Sequence, residues 1–138
     1  LDDYLPDKGV LTESAPSDSE WQDIHFGFDI AKEAARLDIG QTVCVKNKAI
    51  IAVESLEGTD ITIKRAGLIG RGGFSVVKVS RPRQDMRFDI PVVGLKTISV
   101  MAKARGCCLG IEAKKTLVLD KEEFIKYADK KGISVVAL

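Results

Sequence analysis

The chain has few of the residues that usually announce chemistry. It holds one histidine, His25, and three cysteines, Cys44, Cys107 and Cys108, in 138 residues. An isolated histidine with no Ser or Cys partner nearby reads as an ordinary hydrogen-bonded side chain rather than a general base. Adjacent Cys107 and Cys108 do not have metal-ligand spacing, and only His25 could join them. Cys44 sits in an apolar strand-like run, and Cys107-Cys108 precede another, so buried inert thiols in a reducing cytoplasm are expected. Aromatics are scarce, at 6%. No apolar run reaches the roughly 18 residues that would suggest a membrane span. The net charge of +1 lacks the basic excess of a general nucleic-acid binder. The opening Leu1-Asp2-Asp3-Tyr4 has neither the basic start nor the apolar core of a signal peptide. It also lacks a starting Met, which suggests a fragment or processed product.

What is present is an aliphatic, evenly charged sequence long enough for one domain, which at this size buries about two-thirds of its unfolded surface. Residues 1–25 read as a loop-rich lead-in, with turn chemistry at Asp7-Lys8-Gly9 and Ser14-Ala15-Pro16-Ser17-Asp18. Helical spacing runs from Phe26 to Ala35. Gln41–Lys46 and Ala49–Glu54 form a hairpin across Asn47-Lys48, with Lys imperfect at the second turn position. Thr59 or Asp60 caps a short helix through Gly67. Phe74–Val79 is a strand, Thr97–Ala104 a helix, and Cys108–Ile111 and Thr116–Leu119 are short strands. Asp120 with Glu123 gives a capping-box pattern for the next helix, and Ser134–Leu138 closes as a strand. The expected fold class is α/β, a single compact domain with a mixed sheet and flanking helices.

Three stretches could carry chemistry. In Arg83-Gln84-Asp85-Met86-Arg87-Phe88-Asp89-Ile90-Pro91 an extended backbone places Asp85, Arg87 and Asp89 on one face, at roughly 7 Å spacing. Such a row can meet a cation or a phosphate, or neutralise itself on a solvated surface, and the residues alone leave both open. Glu54-Ser55-Leu56-Glu57-Gly58-Thr59-Asp60 follows a strand and opens a helix. It reads either as an anion site on free N–H groups or as a plain cap at the helix dipole. Gly70-Arg71-Gly72-Gly73 lacks the lysine and hydroxyl of a P-loop and reads as a flexible loop.

Several blocks together resemble the C-terminal domain of the UDP-2,3-diacylglucosamine pyrophosphatases of the second, non-calcineurin type, enzymes of lipid A biosynthesis. They are Leu37-Asp38-Ile39-Gly40-Gln41, Ala52 to Asp60 with Lys64-Arg65-Ala66-Gly67, Gln84 to Pro91 with Gly94 and Thr97, and Ile111-Glu112-Ala113 through Leu119-Asp120. The resemblance implies Mg²⁺-dependent hydrolysis of a UDP-sugar lipid to UMP and the acylated sugar phosphate lipid X. It implies Asp85 as metal ligand or base and Asp89 as second carboxylate. Glu57 and Asp60 would complete the metal or substrate shell. Arg65, Lys78 and Arg87, with the Gly58 and Thr59 backbone, would contact phosphate. It further implies a partner N-terminal domain missing from this chain, and a cytoplasmic setting with transient contact at the inner-membrane surface. Self-association is also among the expected partnerships, and nucleic acid is not. Two other classes stay open: a non-catalytic sugar-nucleotide or lipid-phosphate binding module, and a dimerisation domain that pairs through exposed strand edges.

Overall fold

A computed structural model of the chain describes residues 5–82 and 90–138. Twelve elements follow in order among them: β1 (Gly9–Val10), α1 (Asp18–Arg36), β2 (Thr42–Lys46), β3 (Ala49–Val53), α2 (Thr59–Gly70), β4 (Phe74–Lys78), β5 (Val92–Val93), α3 (Leu95–Ala104), β6 (Gly106–Ile111), β7 (Leu117–Val118), α4 (Lys121–Lys130) and β8 (Ser134–Ala137). Six strands make one sheet in the order β1-β8-β6-β4-β2-β3, and β5 with β7 make a small parallel pair. The sheet is mixed: β4, β6 and β8 run parallel, while β2 is antiparallel to both β4 and β3. Two antiparallel steps make β3 parallel to β4. The single α/β domain with a mixed sheet is therefore as expected.

Strand alternation sorts the core into two layers. Val43 and Val45 of β2, Val77 and Val79 at the end of β4, Cys108 of β6 and Val136 of β8 face α1, where Ile24, Ala31 and Ala35 meet them. Cys44, Val76, Leu109, Ile111 and Val135 face the other way, onto Ile63 and Ala66 of α2, Ile98 and Met101 of α3, and Phe124 and Ala128 of α4. The helix on the first face lies close to the sheet. A Cβ at Gly27 would stand 2.7 Å from a methyl of Val45 and 3.0 Å from one of Val77.

Helix α1 starts eight residues before the periodicity predicts, inside the supposed lead-in. Ser17 accepts from the Glu20 N–H at 3.2 Å, and the Glu20 carboxylate accepts from the Ser17 N–H at 2.8 Å. Ser14 to Ser17 stay irregular as read, and this capping box starts the helix directly after them. The hairpin is as read: Asn47 and Lys48 both take positive φ, the conformation that a two-residue primed turn needs. Asp23 of α1 offsets the imperfect lysine by accepting from both turn N–H groups, at 3.1 and 2.8 Å.

Two caps differ from expectation. Gly58, not Thr59 or Asp60, caps α2, and that helix continues past Gly67 to Gly70. Asp120 precedes α4 in a left-handed conformation and makes no side-chain cap bond.

Candidate functional site

Each helix on the second face follows a strand: β3 leads to α2, and the parallel pair β5 and β7 leads to α3 and α4. With β3, β4, β6 and β8 parallel, α2 begins at the carboxyl edge of the sheet, the edge where open α/β sheets place their ligands. A cleft of about 700 Å³ lies there, lined by Glu57, Gly58, Thr59 and Asp60 at the start of α2, and by Gly94, Leu95, Lys96 and Thr97 at the start of α3. Asp120 before α4, Lys64 on α2 and Lys78 at the end of β4 line the same cleft.

Glycine precedes both α2 and α3, so no Ncap side chain occupies the first N–H groups. Gly58 has φ +89°, and a Cβ there would meet nothing within 4 Å. The position is therefore glycine for its backbone rather than for crowding. Free N–H groups and the positive end of the helix dipole suit an anion. Lys64, Lys78 and Lys96 add positive charge to the wall.

Individual side chains divide between the cleft and its support. Glu57 Oε1 accepts from the Ser55 N–H at 2.7 Å and the Thr62 hydroxyl at 3.2 Å. Its Oε2 lies 3.5 Å from Arg65. The Ser55 N–H, together with the Thr62 hydroxyl and Arg65, holds the Glu57 carboxyl below the usual carboxylate range. Arg65, a sequence candidate for phosphate, donates to the Val53 carbonyl at 2.9 Å and is not among the cleft-lining residues. It ties α2 to the end of β3. Asp60 pairs with Lys96 at 3.5 Å, linking the starts of α2 and α3. Thr59 shares a 3.1 Å hydroxyl contact with Thr42, and Lys78 donates to the Val92 carbonyl at 3.1 Å.

Asp85, Arg87 and Asp89 lie outside the described residues. The structure thus brings together Glu57, Gly58, Thr59, Asp60 and Lys78 of the sequence candidates and sets Arg65 behind them. Sequence reasoning missed Lys96 as a site residue. Its signal was Gly94 two positions earlier, a small residue before a helix start that leaves the first turn open.

Among the described residues no three His, Cys, Asp or Glu side chains converge as a metal cage. Cys44 and Cys108 are buried, and burial pushes the Cys44 thiol up to about 12 and that of Cys108 higher still. Burial also raises the partly covered Cys107. All three are expected to stay protonated, as inert thiols do. His25 stacks on the Trp21 ring with centroids 5.6 Å apart, on the α1 face away from the cleft. The Gly70-Arg71-Gly72-Gly73 turn closes the opposite end of α2, where Lys46 donates to the Gly70 carbonyl at 2.7 Å.

The fold and cleft define an α/β domain whose carboxyl-edge site is suited to an anion. Comparison with known proteins narrows the class. The family described as the LpxI C-terminal domain matches residues 7–136, and the chain belongs to that family. It is 34% identical over 139 residues to UDP-2,3-diacylglucosamine pyrophosphatase LpxI of Caulobacter vibrioides, a match covering 95% of this chain and 50% of that protein. The chain therefore spans about half the length of this relative.

Proposed function

We propose that the protein hydrolyses the pyrophosphate bond of UDP-2,3-diacylglucosamine, releasing UMP and the acylated sugar phosphate lipid X. The observation that carries the reading is the glycine-opened start of α2. The block Glu57-Gly58-Thr59-Asp60, on which much of the family resemblance rests, faces the same cleft as the start of α3 and three lysines. A pyrophosphate diester is strongly anionic, and attack by water on it needs that charge stabilised by preorganised donors. The first N–H groups of α2 and α3, with Lys64, Lys78 and Lys96, would bind the phosphates and hold the phosphorus for attack. Glu57 and Arg65 would shape the loop that presents Gly58.

Asp85 is assigned as metal ligand or general base and Asp89 as second carboxylate, by their match to the family block. Arg87 is assigned to a phosphate contact on the same ground. The donors fit Mg²⁺ in kind, since that ion takes one or two carboxylates with phosphate and water oxygens. Asp85 and Asp60 would hold it, whereas Glu57 would first have to give up the bonds of its own loop. When bound, Mg²⁺ would screen the phosphate charge and lower the pKa of an attacking water. Ile61, Val92, Leu95 and Leu119 give the cleft an apolar rim, with Leu56 fully exposed on the preceding loop. That rim supports contact with acyl chains at the inner-membrane surface from a cytoplasmic protein. Among the described residues no helix is long and apolar enough to cross a membrane. A further domain closing over the lipid belongs to the same proposal.

The test is Asp85→Asn in the intact protein, assayed for UMP release from UDP-2,3-diacylglucosamine with and without Mg²⁺. Loss of at least a hundredfold in turnover, with UMP binding kept, is expected. Unchanged turnover would sink the assignment. Binding without turnover in the unaltered protein would favour the non-catalytic module instead.

A further inference from the structure

The chain leaving β4 is fastened at successive residues by different parts of the fold. Lys78 pairs with Ile111 at the end of the parallel β4–β6 ladder. Val79 donates to the Gln41 carbonyl at 2.9 Å, and the Gln41 side chain donates to the Val79 carbonyl at 3.1 Å. Ser80 then donates twice to one oxygen of Glu112, from its N–H at 2.9 Å and its hydroxyl at 2.7 Å. Arg81 reaches Asp38 at 3.2 Å.

Glu112 is an unusual residue to find in this position. It is only 6% exposed, and acids that deeply buried are rare unless paired. Its second oxygen accepts from Lys32 of α1 at 2.7 Å, with Lys115 a further 3.9 Å contact. Thr116 holds the Glu112 backbone from both sides, accepting from its N–H at 3.2 Å and donating to its carbonyl at 2.8 Å. Where the backbone ladder stops, the Glu112 carboxylate takes over the pairing of β4 with β6 and carries it to Ser80. Burial opposes the ionised form, but the Lys32 and Ser80 hydrogen bonds outweigh it and hold the carboxyl below its ordinary range.

We propose that Glu112 is a positioning residue for the cleft, acting through Ser80 to set the end of β4 and so the placement of Lys78 against bound phosphate. The inference rests on the reading of the cleft as a pyrophosphate site. A residue that only stabilised the fold would lower the melting temperature and leave the affinity of each folded molecule unchanged. A positioning residue instead changes affinity in a way that depends on Lys78, and a double-mutant cycle isolates that dependence.

The experiment measures the affinity of the intact protein for inorganic pyrophosphate by calorimetry, below the melting temperature of every variant. Glu112→Ala is expected to weaken binding at least fivefold. In the Lys78→Ala background the same change should add less than twofold. Glu112→Gln keeps a carbonyl oxygen for Ser80 and should recover most of the affinity. If Glu112→Ala does not fold, Ser80→Ala removes only the hydroxyl bond and should give a smaller loss, again absent in the Lys78→Ala background. Additive effects, or unchanged affinity in the folded variants, overturn the positioning role alone. Absence of pyrophosphate binding by the unaltered protein overturns the cleft reading, and this inference falls with it.

Discussion

Gly58 shows how much a single residue decides here. Its φ of +89° with ψ of 165° lies in a region that L side chains rarely adopt. A β-carbon there meets no neighbour, so replacement by alanine strains the backbone without a clash. The expected cost is about 1–3 kcal/mol, partly offset by the lower entropy of the unfolded chain. Gly58→Ala should therefore lower the denaturant midpoint with an unchanged slope, as urea unfolding followed by circular dichroism would register. Relaxation of the strain would also turn the first N–H groups of α2 away from the cleft. The sequence placed this glycine in a stretch that reads as an anion site or a plain cap. It did not reveal that the glycine itself is the cap, because Thr59 and Asp60 beside it are both good capping residues.

At the scale of elements, strand positions were largely legible, since runs such as Thr42–Lys46 and Phe74–Lys78 are apolar, β-branched and short. Helix starts were less so. The apolar spacing that marks α1 begins at Phe26, but the helix begins at Asp18 because Ser17 and Glu20 satisfy each other's N–H groups. A reading centred on hydrophobic period passes over a polar first turn. Ser17→Ala tests the weight of that box. Removing an Ncap hydroxyl costs about 1 kcal/mol, and in a domain of this size that lowers the melting temperature by about 2–5 °C. No change in melting by calorimetry would mean that packing of Ile24, Gly27 and Ala31 on the sheet fixes the helix without its cap. The two-residue strands β1 and β5 escaped notice for a simpler reason: at that length no alternation exists to be seen.

Across the whole molecule, residues distant in sequence gain meaning only by meeting. Asp38, Gln41 and Glu112 come from two separate blocks of the family resemblance, and all three converge on Val79, Ser80 and Arg81. Likewise the helix starts at Gly58 and Gly94 are 36 positions apart yet open on one cleft. No local pattern could have shown that Lys96 would face Asp60. This convergence yields a prediction about the molecule as a unit. Pyrophosphate should stabilise the folded chain in the absence of any divalent metal, because helix N–H groups and lysines supply attraction without it. At a ligand concentration a hundredfold above the dissociation constant the gain is about 2.7 kcal/mol, which for this size raises the melting temperature by several degrees. The shift should shrink as salt rises, since the lysine contribution is screened. Lys96→Glu places a carboxylate beside Asp60 and reverses charge at the cleft wall, so the shift should vanish in that variant while its unliganded stability changes little. A full pyrophosphate shift in Lys96→Glu, read by calorimetry with chelator present, would move the anion site away from the starts of α2 and α3.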